Sequence, residues 1–89
     1  MTNLYLFKEN EMSVQREMTY GEMAVGLKFN PSNDDAVAKC KAEFAVVIDR
    51  MNDLRNSTNN NEVKRMASVA ITEAQTAQMW AVKAITWSF

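Results

Sequence analysis

The sequence predicts an all-α chain: an N-terminal helix followed by a long antiparallel helical hairpin, assembling into a compact homo-oligomer. Three observations carry this. Apolar residues recur at three- and four-residue steps through most of the chain. Helix breakers are scarce, with one proline (Pro31) and two glycines (Gly21 and Gly26) in 89 residues. The last third places alanine on a heptad seam while larger apolar residues occupy its other faces.

The elements follow in order. Leu4, Phe7, Met12, Val14, Met18, Met23 and Val25 are loosely spaced as a helix, which predicts a segment over residues 7–25, kinked near Gly21 and ended by Gly26. Residues 1–26 thus form an N-terminal helical segment. Next comes Lys28-Phe29-Asn30-Pro31-Ser32. Pro31 pushes the residues before it toward extended geometry. Ser32 or Asn33 is placed to cap the next helix, with Asp34 and Asp35 in its first turn where negative charge suits the dipole.

Residues 34–56 then carry Val37, Cys40, Phe44, Val47, Met51 and Leu54 on an a/d seam flanked by Ile48. The polar run over residues 56–61 reads as a turn. Helix resumes over residues 62–86, where Ala67, Ala70, Ala74, Ala77, Ala81 and Ala84 form a second seam. Small residues let helix axes approach closely. The alanine seam is therefore expected to meet the larger seam before it, making residues 32–87 a hairpin within one helical domain spanning 1–89.

That last helix also bears Met66, Val69, Ile71, Met79, Trp80, Val82, Ile85 and Trp87, mostly off the seam. A helix apolar on several faces needs cover on several faces. Burial in a monomer core is one solution. A chain of this size buries only about 60% of its unfolded surface, so cover by a second chain is the preferred reading. Other stabilisers are lacking in the sequence: Cys40 is the sole cysteine, and there is no histidine.

Function classes narrow in the same way. A formal charge of −1 does not suit a DNA- or RNA-coating protein. Lys8, Glu9 and Glu11 do not fit a secretion signal, and no uncharged run approaches the roughly 20 residues that span a membrane. Without a histidine base, a glycine-rich phosphate loop or a nucleophile elbow, the chain is expected not to be an enzyme. No cofactor or metal is expected either.

Binding residues remain. Lys39, Lys41, Arg50 and Arg55 read as solvated surface on the polar side of their helix. Lys28, Phe29 and Asn30 offer a cation, an aromatic face and an amide beside a helix start. Arg65 opens the last helix, where a guanidinium can fork onto phosphate. Lys83 is alone in an apolar stretch and either snorkels or faces a polar cavity.

The loop Lys28-Phe29-Asn30-Pro31-Ser32 and the run Ala77-Gln78-Met79-Trp80-Ala81-Val82-Lys83-Ala84 resemble the phage anti-CBASS cyclic-nucleotide sponge family of the second type. Its helical hairpin is shared with a Thoeris anti-defence sponge. The resemblance covers about residues 26–87. It implies a helical oligomer, commonly a hexamer, that sequesters cyclic dinucleotides such as cyclic GMP-AMP without cleaving them. Cyclic trinucleotides are implied at a separate site on the symmetry axis. The setting implied is the cytoplasm of an infected bacterial host. By position, Lys28 and Asn30 match the loop residues that contact the dinucleotide, and Arg65 matches the trinucleotide contact. The family's N-terminal stacking aromatic has no aligned equivalent; Phe7, Tyr5 and Tyr20 are candidates, with Phe7 preferred. The alternative is a helical adaptor that captures a host protein through its apolar C-terminal helix.

Overall fold

The computed structural model describes residues 16–31 and 33–88. Within them lie three helices: α1 (Tyr20–Ala24), α2 (Asp35–Ser57) and α3 (Asn61–Ile85). Phe7, Tyr5 and residues 7–15 of the expected N-terminal helix lie outside the described residues, as does Ser32.

The described part of the N-terminal segment departs from one helix through residue 25. Residues 16–19 are not helical, and Thr19, extended with ψ 164, is the N-cap of α1. Its hydroxyl accepts from Glu22 N–H at 3.1 Å while the Glu22 carboxylate accepts from Thr19 N–H at 2.9 Å. This capping box closes two otherwise unpaired donors at once. At the other end Gly26 takes φ +63. Its N–H reaches Met23 O at 3.1 Å, and Leu27 N–H reaches Glu22 O at 3.0 Å. That pair is a Schellman stop, which favours glycine because the left-handed conformation crowds a Cβ. Both ends of α1 are thus fixed locally.

Gly21 is a packing residue, not a kink. A Cβ there would stand 2.2 Å from Ala45 O, so α1 rests directly on the backbone of α2. Gly21 N–H also donates to Asp49 Oδ1 at 2.7 Å.

The hairpin is present, with ends within one residue of expectation. Asp34 is itself the N-cap of α2, accepting from Ala36 N–H and Val37 N–H at 2.8 and 3.3 Å. Asn60 caps α3 on Glu62 N–H and Val63 N–H at 2.9 and 3.1 Å. Arg55 donates to Ser68 Oγ at 3.1 Å near the turn, while Val37 and Val82 line one depression at the far end. These contacts fix the antiparallel arrangement.

The seams are phased differently from the expectation. On α2 the buried side chains are Val37, Lys41, Ala45 and Ile48, whereas Val47 and Leu54 stay 50% and 41% exposed. The apolar stripe is therefore turned partly outward. On α3, Ala67, Ile71 and Gln78 are buried, and Ala77 and Ala84 are exposed. The alanines serve only part of the hairpin contact. The cause is α1, which docks on α2 at Ala45 and turns the small residue inward. Val25, Ala45, Ile48 and Ile71 make the central cluster, with Leu27, Phe44, Met51 and Ala74 packed around it.

Candidate functional site

The segment between α1 and α2 is built by backbone and side-chain bonds of its own. Phe29 N–H donates to Gly26 O at 2.9 Å, and Asn33 N–H donates to Asn30 O at 2.9 Å. Asn33 adopts φ 51, a left-handed conformation that asparagine tolerates. The Asn30 amide is used twice on the start of α2. Its Nδ2 donates to Asp34 O at 2.9 Å and its Oδ1 accepts from Asp34 N–H at 3.1 Å. Asn30 therefore shapes the loop, and only its remaining lone pair and second N–H are open to a ligand.

Lys41 is the residue that sequence reasoning placed wrongly. Read as solvated surface, it is 4% exposed. Its ammonium donates to Gly26 O at 2.9 Å and to Phe29 O, and lies 5.5 Å from the centre of the Phe29 ring. A buried ammonium needs such acceptors. Its heptad position gave no sign of this, because the acceptors are backbone carbonyls of a loop 12 to 15 residues away. Arg55 is a second correction. It is half-buried, bonded to Asn52 Oδ1 at 3.0 Å and to Ser68, with its guanidinium 5.2 Å from the Tyr20 ring. It ties the three helices together.

With the loop so held, Phe29 projects outward, 74% exposed. It stands between two depressions. One is an open groove of about 480 Å³, bounded by Met23, Gly26, Lys41, Gln78, Met79 and Val82. The other, of about 150 Å³, lies toward Pro31, Asp34, Val37 and Thr86. Lys28, next to Phe29, is exposed, and no hydrogen bond or ion pair among the described residues holds its ammonium. An open aromatic face thus borders an apolar groove, with an exposed lysine next to it in sequence. Such a set suits a ligand with an anionic group and a flat ring.

Arg65 is elsewhere. It lies 17 residues before Val82 on α3, about 25 Å along the helix axis. Its guanidinium forks onto Glu62, with Nε donating to Oε1 at 3.1 Å and a terminal nitrogen to Oε2. This pairing lowers the Glu62 pKa and raises that of Arg65, through the shared hydrogen bonds. Both groups face solvent. The expected site residues therefore fall into two sets at opposite ends of the hairpin, while Phe7 lies outside the described residues.

Lys83 is exposed and lines neither of the two depressions, in keeping with the snorkelling alternative. It lies across two indoles, 5.9 Å from the Trp80 ring and 5.8 Å from the Trp87 ring. Among the described residues no group of three or more His, Cys, Asp or Glu could hold a metal ion, and no helix is long and apolar enough to cross a membrane.

The chain matches the family model described as the Acb2/Tad1 hairpin domain over residues 21–86. No curated protein and no solved structure matches it.

Proposed function

The chain belongs to the Acb2/Tad1 hairpin-domain family, and on that premise we propose that it is a phage anti-defence sponge. It binds cyclic oligonucleotide signals in the cytoplasm of the infected host and withholds them, uncleaved, from the effectors they switch on. Cyclic dinucleotides such as cyclic GMP-AMP are the first ligands, with cyclic trinucleotides at a separate site near Arg65.

The observation that carries this reading is the loop. It carries exposed Lys28, whose ammonium no described residue holds, next in sequence to the exposed Phe29 ring, which itself borders an apolar groove. A cyclic dinucleotide has two phosphates and two base faces. One chain supplies one cation and one ring; a second copy supplies the matching pair. Base stacking on an aromatic contributes about 1–3 kcal/mol, and a charged hydrogen bond about 1.5–3 kcal/mol. Two of each, less the cost of association, are compatible with nanomolar binding.

Self-association, as a hexamer, is part of the proposal. Val47, Leu54, Met66, Val69 and Trp80 are each at least 40% exposed, which favours cover by neighbouring chains. The same exposure favours the second reading, an adaptor that captures a host protein through α3. Light scattering separates the two, because the sponge is a monodisperse hexamer and the adaptor a monomer or dimer.

Titration calorimetry with cyclic GMP-AMP tests the main reading. Tight binding is expected, with intact ligand recovered after heat denaturation. Lys28→Ala should weaken binding of cyclic GMP-AMP by at least tenfold, whereas Arg65→Ala should weaken only a cyclic trinucleotide. Linear products in the recovered ligand refute sequestration without cleavage. Undiminished affinity in Lys28→Ala refutes the site.

A further inference from the structure

The groove beside the loop holds a polar group that the packing does not explain. Gln78 is 6% exposed and lines the groove with Met23, Gly26, Phe29 and Met79. Among the described residues nothing hydrogen-bonds its side chain. Gln75, one turn earlier on α3, behaves differently, donating Nε2 to Ala24 O at 3.3 Å. Buried side-chain amides in folded proteins nearly always have partners, and each exception calls for a cause. Leucine or methionine would fill the same space without an unmet donor and acceptor.

The lining indicates what chemistry would meet that amide. Among the described residues Lys41 is the only charged one bordering the groove, and its ammonium is committed to the carbonyls of Gly26 and Phe29. No free cation there would offset a phosphate, so the group that enters is neutral. The walls are the Phe29 ring and the thioethers of Met23 and Met79, which suit a flat, polarisable ring. A glutamine amide presents a donor and an acceptor side by side, the pattern that pairs with N6 and N7 of adenine. A volume of about 480 Å³ lies in the range of small-molecule sites and exceeds what one base occupies.

We propose that Gln78 reads the hydrogen-bonding edge of one purine of the bound cyclic dinucleotide, the base lying in this groove against Phe29 and the phosphates remaining outside toward Lys28. This assignment rests on the cyclic-nucleotide reading above and adds a specificity residue to it.

The test compares wild type with Gln78→Met, which keeps the length of the side chain and removes its polar groups. Cyclic GMP-AMP should bind the variant about tenfold or more weakly, the effect of losing a paired amide. The melting temperature without ligand should stay the same or rise, since an unmet buried amide has been removed. In wild type, the side-chain NH₂ resonance of Gln78 should shift when cyclic GMP-AMP is added, a reading independent of how well the variant folds. Unchanged affinity in Gln78→Met, or an unmoved resonance in a saturated wild-type sample, overturns the assignment while leaving the sponge reading intact. Wild type that binds none of cyclic GMP-AMP, cyclic di-AMP and cyclic di-GMP overturns both.

Discussion

Gly21→Ala sets helix propensity against packing, and the two give opposite signs. Inside a helix, alanine is favoured over glycine by about 1 kcal/mol. Gly21 is the second residue of α1, so propensity alone makes the variant more stable. Yet the added methyl would meet Ala45 O at 2.2 Å, Asp49 Oδ1 at 2.9 Å and Ala45 C at 3.0 Å. Two of these are backbone atoms in the middle of α2 and cannot rotate away. Contact distances for carbon run to about 3.5 Å and above, so α1 must lift by about 1 Å. Overpacking of this kind costs about 1–3 kcal/mol. The lift also stretches the 2.7 Å bond from Gly21 N–H to Asp49, a hydrogen bond to a carboxylate worth about 1.5–3 kcal/mol. Its other ties include the Arg55 guanidinium over the Tyr20 ring and the Gln75 amide bonded to Ala24 O, and the same lift disturbs both. The net loss expected is about 2–4 kcal/mol, or a melting temperature lower by more than about 10 °C for a domain of this size. Thermal unfolding followed by circular dichroism, at equal protomer concentration, measures it. Hydrogen exchange should show the amides of α1 losing protection first. A melting temperature equal to or above that of wild type would refute the packing argument.

Two further outcomes follow from the loop and the capping box. Lys41→Met removes both bonds from the ammonium to the carbonyls of Gly26 and Phe29 and should cost about 1–3 kcal/mol in urea denaturation, after allowing for the burial cost of the charge it deletes; it should also weaken cyclic GMP-AMP binding, because the loop that carries Lys28 and Phe29 loses its anchor. Hydrogen bonds from Arg16, aided by Thr19 N–H, lower the Glu22 carboxyl from 4.5 to about 2 in the folded chain. A depressed folded pKa means that this contribution is complete above pH 4.5 and is lost as pH falls toward 2. Arg16 is largely open to solvent, so the pair contributes about 0.2–1 kcal/mol. Glu22→Gln should therefore flatten the plot of melting temperature against pH between 4.5 and 2, and an unchanged slope would contradict the pairing.

Much of this protein is determined by local sequence. The helix period, the polar break before Asn61 and the scarcity of breakers placed α2 and α3 within a residue of their ends. Helix formation and capping depend on neighbours three and four positions away, and sequence displays those directly. That Lys28 and Phe29 fall in a loop was also legible, because Pro31 disfavours helix in the residues before it. What sequence could not decide was rotation. Val47 and Leu54 belong to an ideal seam, yet the tertiary structure turns them outward, because docking of α1 through Gly21 brings Ala45 and Ile48 inward instead. A shift of one residue on a helix turns the buried face by about 100°, and only a third element fixes it. Tertiary packing also buried Lys41 and Gln78, two polar residues whose surroundings come from segments distant in the chain. Lys41 found carbonyls and became the anchor of the loop. Gln78 found none among the described residues, and no pattern in the sequence marks it as the amide that borders the groove.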